Sequence, residues 1–327
     1  MRDSRIRCAV IGLGSMGRQH LRTLSSMDDI VIVGAVERNS DTRAEVAARF
    51  GVPTYETSAM LPLDDLEAAV IAVPTESHAM EAEALLGAGI DVLVEKPIAE
   101  TVDEAMGLAL KAKANDRILM VGHVERYNPA VDVVNHMLAE GVIGNVLNFV
   151  ARRVGFTQPA NTNSSVTLDL AIHDVDTLTY LLGCSGELLW AHALTLPGRH
   201  GDDHVDIGAR FGTICGSLQA NWLTPMKIRT LSLAAGNGLL HMDYVSQSVD
   251  WYARQRPPDP DASWDLFSAT NRPEPISIPV DREEPLRREI RDFLRAIRHR
   301  SEPIATAEGA ISSLQLVNAA RHHAVQC

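Results

Sequence analysis

Along the first 122 residues, short unbroken runs of β-branched and apolar residues alternate with longer stretches whose apolar positions recur every three or four residues. Continuous runs suit strands buried on both faces, and the 3.6-residue recurrence suits helices that cover them, so each pair reads as a βα unit. The pattern predicts strands at Ile6–Ile11, Ile30–Val36, Ala69–Val73, Asp91–Val94 and Ile118–Val121, with helices near 15–26, 41–50, 76–88 and 101–114. A doubly wound parallel sheet follows.

After Asn128-Pro129 the pattern changes. Pro129 suits the first turn of a helix over about 129–140, and VLNFVARRV then alternates like a strand exposed on one face. Beyond a helix around 169–182, the runs LLWAHALTL, HVDIGARF, ICGSLQANWL and KIRTLSLAA are separated by turn residues and not by helices, which implies an antiparallel sheet. Arg254 to Pro285 is rich in Pro, Asp and Ser and reads as a loop or meander; EPLRREIRDFLRAIRHR restores a helical period to about Arg300. The expected fold is α/β: a doubly wound N-terminal domain over residues 1–122 and an α+β domain over 123–327 with an open, mainly antiparallel sheet. Its C-terminal helices are expected to cover that second sheet. No internal repeat is visible.

Length agrees with two cores, since 327 residues allow about 150 per domain. Lys plus Arg is 30 against 42 Asp plus Glu, a formal charge of −12, and this balance argues against nucleic acid, whose phosphates demand a basic face. Apolar residues make up 46%, too many for intrinsic disorder. Cys8, Cys184, Cys215 and Cys327 lie far apart with no metal-ligand spacing and read as reduced thiols. The run after MRDSR is too short for a signal segment, and no stretch approaches a membrane span. The expectation is a cytoplasmic protein without a membrane partner.

Candidate chemistry begins with GLGSMG, where Gly12, Gly14 and Gly17 follow the first strand and open the first helix. Dinucleotide binding requires Gly12 for the tight turn, Gly14 for backbone approach to a pyrophosphate, Gly17 for helix packing, and an acidic residue about 20 positions on. Glu37 occupies that position. Glycines serving only a tight turn are the alternative. A carboxylate facing the ribose hydroxyls favours NAD over NADP, while Arg38 offers a cation that could stack on adenine or meet a phosphate. AVPTESH, Ala72 to His78, ends a core strand where an open α/β sheet places its crevice. In VEKP, Lys96 stands at another strand end between Glu95 and Pro97, either solvated or directed into the crevice. In LDLAIHDVDTLTYLL, Asp169, His173 and Asp176 fall on one face of a helix beside Leu168, Ile172, Val175 and Leu182. A carboxylate one turn from an imidazole suits a general base; a surface ion pair is the alternative. His200 and His204 bracket two aspartates in HGDDH, but no second ligand cluster accompanies them, and no metal is expected.

Together GLGSMGRQH, AVPTESH, VEKP and the Asp169/His173 pair resemble the Gfo/Idh/MocA oxidoreductases, in the same order and over essentially the whole chain. The resemblance implies an N-terminal Rossmann domain, a C-terminal α/β domain, hydride transfer between a nicotinamide and a sugar, cyclitol or related carbon, and a homodimer or homotetramer formed through the second sheet. It implies that Lys96, often followed by a cis bond in such proteins, stabilises a developing alkoxide. His173 would take the hydroxyl proton, and Asp169 would fix the substrate or the imidazole. The cofactor contacts it implies are Gly12, Gly14, Ser15, Met16, Gly17, Glu37, Arg38, Ala72, Pro74, Thr75, His78, Glu95, Lys96, Pro97 and Arg126.

VGHVERYNPA, ARRVG, LDLAIHDVD and NWLTPMKIRTL are similar to the subgroup of UDP-N-acetylglucosamine 3-dehydrogenases, which implies a sugar or sugar-nucleotide substrate oxidised at its 3-hydroxyl. FTQPANTNSS, between Gly155 and Val166, departs from the more basic or proline-rich segment expected there. Candidate substrate contacts are Tyr127 and Asn128, one of Arg152 and Arg153, which face opposite sides of a strand and could grip a diphosphate, and Asn221 with Trp222. Core packing is the other reading of Trp222. Free sugars, cyclitols or nucleosides are alternative substrates, and a dinucleotide-binding sensor without catalysis is the alternative class.

Overall fold

A computed structural model describes residues 5–156, 162–254 and 274–326. Strands β1 (Ile6–Ile11), β2 (Ile30–Val36), β3 (Thr54–Tyr55), β4 (Ala68–Ile71), β5 (Asp91–Glu95) and β6 (Leu119–Gly122) pair in the order β3-β2-β1-β4-β5-β6. Every neighbouring pair is parallel, the order of a dinucleotide-binding sheet. β4, β5 and β6 are buried at every position, which is why their sequences run apolar without alternation. The covering helices are α1 (Ser15–Ser25), α2 (Ser40–Phe50), α3 (His78–Gly87) and α4 (Val102–Ala114). The Asn39 side chain caps α2 by accepting from the Thr42 N–H at 2.9 Å, and Thr101 with Glu104 forms a reciprocal cap on α4. β3 escaped the hydrophobic pattern because two residues cannot show a period.

The second sheet uses β7 (Val146–Val154), β8 (Gly186–Leu194), β9 (His204–Phe211), β10 (Ile214–Asn221), β11 (Ile228–Ala235), β12 (Gly238–Asp243), β13 (Ser248–Ala253), β14 (Ile276–Ile278) and β15 (Val325–Gln326). Their order is β14-β13-β12-β11-β7-β10-β9-β8-β15. The β7/β10 and β8/β15 pairs are parallel and the others antiparallel. Along β7, buried Phe149, Ala151 and Arg153 alternate with exposed Val150 and Arg152, as expected for a sheet covered on one face. Helices α5 (Pro129–Ala139) and α6 (Ile172–Leu182) accompany this sheet.

The chain forms two compact units: one contains the residues up to Tyr127 together with Glu284–Gln315, the other Asn128–Glu283 together with the residues from Leu316. This differs from a division at 122 into two continuous segments, and it corrects the expectation that the C-terminal helices all cover the second sheet. Helix α7 (Pro285–His299) places Leu286, Ile290, Phe293 and Leu294 in one cluster with Val10, Leu21, Leu24 and Met120 of the first unit. Helix α8 (Ala307–His323) starts in the first unit and ends in the second. An apolar stripe announces that a helix is buried but not which core receives it. Residues 157–161 of FTQPANTNSS and 255–273 of the Pro-rich stretch lie outside the described residues. Among the described residues no helix is long and apolar enough to cross a membrane.

Candidate active site

In the first unit, the turn from β1 into α1 is shaped by its glycines. Gly12 has φ +88°, and a Cβ there would lie 2.6 Å from the Ala72 carbonyl oxygen; a Cβ on Gly17 would lie 1.8 Å from that of Gly12. Neither position admits another residue without moving backbone. Among the described residues, a Cβ on Gly14 would meet nothing within 4 Å, so the space in front of that residue is open. Gly14 is also the N-cap of α1, with no side-chain cap and no acidic residue in the first turn. The helix therefore presents Ser15, Met16 and its unpaired N–H groups to this open space, a suitable seat for an anion.

Glu37, at the end of β2, accepts hydrogen bonds from the Leu13 N–H at 3.1 Å and the Asn39 N–H at 3.0 Å. These bonds fix the carboxylate beside the glycine turn. Arg38 is exposed, and its carbonyl and that of Glu37 both accept from the Arg43 guanidinium at 2.7 Å. An open glycine turn, an uncapped helix start and an anchored carboxylate together fit a dinucleotide: the pyrophosphate at the N-terminus of α1, the ribose hydroxyls at Glu37.

The two other motifs meet through His78. Its Nδ1 lies 2.8 Å from the Pro97 carbonyl oxygen and its Nε2 lies 2.9 Å from that of Val73. Burial lowers the basicity of this ring, against the opposing pull of the two carbonyls. His78 thus ties the AVPTESH turn, with half-buried Ala72 and Thr75 and exposed Pro74, to the segment that carries half-buried Lys96. The Lys96–Pro97 bond is cis. Glu95 is buried; its Oε1 lies 2.7 Å from His20 Nε2, and its Oε2 accepts from the Lys96 N–H at 3.2 Å. Burial pushes the Glu95 carboxyl up, but the His20 hydrogen bond and the His20 and Lys96 charges outweigh it and hold the group below its usual range.

Several sequence candidates have other tasks. Buried His78, Glu95 and Pro97 brace the segment around Lys96 from within the protein. Arg126 is buried, donates to the Ile304 carbonyl at 2.8 Å, and its Nη2 lies 2.5 Å from where a Cβ on Gly309 would stand. Tyr127 donates to Asp292 at 2.9 Å and accepts from the Ala305 N–H at 3.1 Å, and burial pushes its phenol well above the usual value. It locks α7 and the segment after it into the first unit, with its hydroxyl fully used.

In the second unit, residues Thr167–Ala171 form a π-helical turn that leads into α6. A π turn is wider than an α turn, which alters the four-residue stacking of Asp169 under His173 expected from α geometry. Asp169 is exposed and His173 half-buried, whereas Asp176 is buried and leaves the polar row. Arg153 is fully buried and grips Asp174 of α6 with two hydrogen bonds, at 2.9 and 3.0 Å, while stacking over Tyr244 at 4.7 Å. Arg152 points to the opposite, open face and donates to Gln219 at 3.0 Å, and Gln219 donates to Asp206 at 3.1 Å. Neither arginine is placed as expected for a diphosphate clamp: one is engaged inside, and the other stands on the face away from α6.

Asn128 caps α5, accepting from the Ala130 N–H at 3.1 Å and donating to the Tyr244 carbonyl at 3.1 Å. The Asn221 side-chain oxygen accepts from the N–H groups of Leu223 and Thr224 at 3.0 and 2.9 Å. Trp222 is buried under the Arg199 guanidinium at 5.4 Å, which favours its core reading. In HGDDH, Asp202 accepts from Thr167 and Ser165, Asp203 accepts from the Leu196 N–H and pairs with Arg199, and His204 faces Asp206. These side chains tie loops to the sheet.

The sequence pattern alone did not single out His20, Glu289 and Asp292, which are buried in the first unit. The available signal was a charged residue on an apolar stripe: Glu289 sits between Leu286 and Phe293 on the buried side of α7.

Two family models match in chain order: "Oxidoreductase family, NAD-binding Rossmann fold" over residues 6–123 and "GFO/IDH/MocA C-terminal domain" over 131–239. A 4-carboxy-2-hydroxymuconate-6-semialdehyde dehydrogenase from a Sphingobium species is 28% identical over 91% of this chain and 92% of its own. A UDP-N-acetylglucosamine 3-dehydrogenase from Acidithiobacillus ferrooxidans is 32% identical, over 54% of each chain, so that match spans about half of either protein. The solved structure of UDP-N-acetylglucosamine 3-dehydrogenase GnnA from Acidithiobacillus ferrooxidans superposes with a TM-score of 0.85 at 22% identity, covering 98% of both chains; at this identity the likeness is one of fold.

Proposed function

The chain belongs to the Gfo/Idh/MocA oxidoreductase family, and from that membership we propose that it oxidises a secondary hydroxyl of a nucleotide-linked amino sugar, at the 3-position, with NAD. The observation that carries the cofactor half of this reading is the Glu37 carboxylate, anchored by the Leu13 and Asn39 N–H groups beside the open Gly14 turn. An anion held there accepts from ribose hydroxyls and repels a 2′-phosphate, which favours NAD over NADP.

When bound, the nicotinamide would supply the hydride acceptor. The chain supplies the rest. Lys96 stabilises the negative charge that develops on the substrate oxygen, His173 removes the hydroxyl proton, and Asp169 orients the imidazole or the sugar. Glu95 and His78 keep the Lys96 segment in place through the bonds described above. The UDP-N-acetylglucosamine 3-dehydrogenase match supports the substrate class. Self-association belongs to the open face of the second sheet, where Val150, Trp190 and Leu239 are exposed; a monomer in sedimentation velocity would refute this.

Incubation with NAD and UDP-N-acetylglucosamine is expected to generate NADH absorbance, with a 2-oxo acid added to recycle tightly held cofactor. Turnover of inositols or free sugars, with none on nucleotide sugars, overturns the substrate. No turnover on any of these, together with tight NADH binding, favours a sensor.

A further inference from the structure

Beneath Lys96, the first unit contains a group of side chains that the proposed chemistry does not use. His20 of α1, Glu95 of β5 and Glu289 of α7 each offer a nitrogen or oxygen atom, and these atoms lie within 4.8 Å of one another. All three residues are buried, His20 and Glu289 completely. Glu95 is engaged on both oxygens, by His20 and by the Lys96 N–H. Among the described residues, both Glu289 oxygens lack a hydrogen-bond partner, as does His20 Nδ1. The cluster occupies space left by Gly122, where a Cβ would stand 3.1 Å from the Glu95 carboxyl.

Two ionised carboxylates this close, away from water, repel each other and lack the hydration that would separate their charges. One of them must hold a proton or face a cation. Glu95 has the partners that stabilise an anion and Glu289 has none. Asp292, on the same helix as Glu289, adds a further negative charge, although it is itself engaged by the Tyr127 hydroxyl, the Ile304 N–H and Arg295. Among the described residues, the charged and titratable groups that act on the cluster include His20, Glu95, Lys96, Asp292 and Tyr127.

We propose that Glu289 is a positioning residue: as a neutral acid it completes a buried triad with His20 and Glu95, so that a single negative charge anchors the Lys96 segment from below. The functional part rests on the catalytic assignment of Lys96 above; the protonation of Glu289 does not. Burial, the Glu95 charge and the Asp292 charge, in that order, all act to raise the Glu289 carboxyl well above its usual value, in agreement with the geometry.

Infrared difference spectroscopy of the full-length protein at neutral pH, wild type minus Glu289→Gln, is expected to show the C=O stretch of a protonated carboxylic acid. With UDP-N-acetylglucosamine as substrate, Glu289→Leu is expected to lower kcat about tenfold with the KM for NAD unchanged, and Glu289→Gln, which keeps a neutral polar side chain of the same size beside Glu95, to restore most of it. A difference spectrum showing carboxylate bands alone overturns the proposal. So does a Glu289→Leu kcat equal to wild type, or a stoichiometric divalent metal that Glu289→Gln loses, which would make the cluster a metal site. Should Glu289→Leu fail to fold, the infrared spectrum of Glu289→Gln decides. Lys96→Ala is measured alongside: retained turnover there removes the role of Lys96, while the protonation of Glu289 in the triad still stands or falls on the infrared bands.

Discussion

The Leu13 N–H donates to the Glu37 carboxylate at 3.1 Å, joining the glycine turn to the end of the neighbouring strand. The bond has two consequences. It orients one loop against the other, and it fixes a negative charge where a dinucleotide ribose would lie. Hydrogen bonds to a charged group contribute about 1.5–3 kcal/mol. Glu37→Ala is therefore expected to weaken NADH binding by roughly tenfold to a hundredfold by that arithmetic, and to leave NADPH binding unchanged or tighter, since the charge that repels its 2′-phosphate is gone. Calorimetric titration of both cofactors checks this; equal losses for the two would remove the discriminating role of Glu37.

The three glycines are expected to separate folding from binding. Gly17→Ala and Gly12→Ala force a Cβ into backbone, at 1.8 and 2.6 Å from the nearest carbonyl oxygen, and should lower the melting temperature sharply. Gly14→Ala meets nothing within 4 Å. It should melt near wild type yet lose NADH affinity, because the methyl group occupies the space a pyrophosphate would need. Melting curves with and without NADH distinguish the three variants, and a Gly14→Ala protein stabilised by NADH as strongly as wild type contradicts the assignment.

Much of this fold was legible because its signals are local. Unbroken apolar runs marked β4, β5 and β6 as fully buried, and GLGSMG marked the turn from β1 into α1, beside which Glu37 stands. What escaped depends on distant partners. The stripe on α7 showed a buried helix, but its burial beside β1 and α1 is a long-range fact. Strand alternation puts Arg152 and Arg153 on opposite faces, but the partner that holds Arg153 inside, Asp174, lies far away in the chain. The π turn before α6 moved Asp169 relative to His173, and an apolar period of four residues cannot reveal one inserted residue. Tyr127 and Arg126 looked like site residues because they follow a strand of the first sheet, yet their polar atoms face Asp292 and Ile304.

The Arg153–Asp174 pair leads to a stability prediction. Removing one partner leaves a buried charge unmatched, which costs about 3–5 kcal/mol. Arg153→Met should destabilise by that order in urea unfolding, and Arg153→Met with Asp174→Leu should recover a large part of the loss. Arg152→Ala, on the open face, should stay within about 0.5 kcal/mol of wild type. Similar losses for Arg152→Ala and Arg153→Met would contradict the burial that separates them.

Glu289 and Glu95 should give the pH dependence of stability opposite slopes. The Glu289 carboxyl is raised above its ordinary 4.5, by burial first and then by Glu95 and Asp292. Above 4.5 the unfolded chain releases this proton while the native protein keeps it, so the contribution of Glu289 is fully present below that value and lost as pH rises through the folded one. Glu95 is held below 4.5 by His20 and Lys96 against the opposing effect of burial; its contribution is present above 4.5 and lost as pH falls through the folded value. Melting temperatures from about pH 5 to about pH 8 should therefore show Glu289→Gln gaining on wild type as pH rises. Glu95→Gln should trail wild type by a constant margin over that range and close the gap only when the series is extended below 4.5, where Glu95 takes up its proton. Parallel curves for Glu289→Gln and wild type would mean that Glu289 is ionised in the folded protein, which leaves two adjacent negative charges under Lys96 and removes the physical basis of the triad.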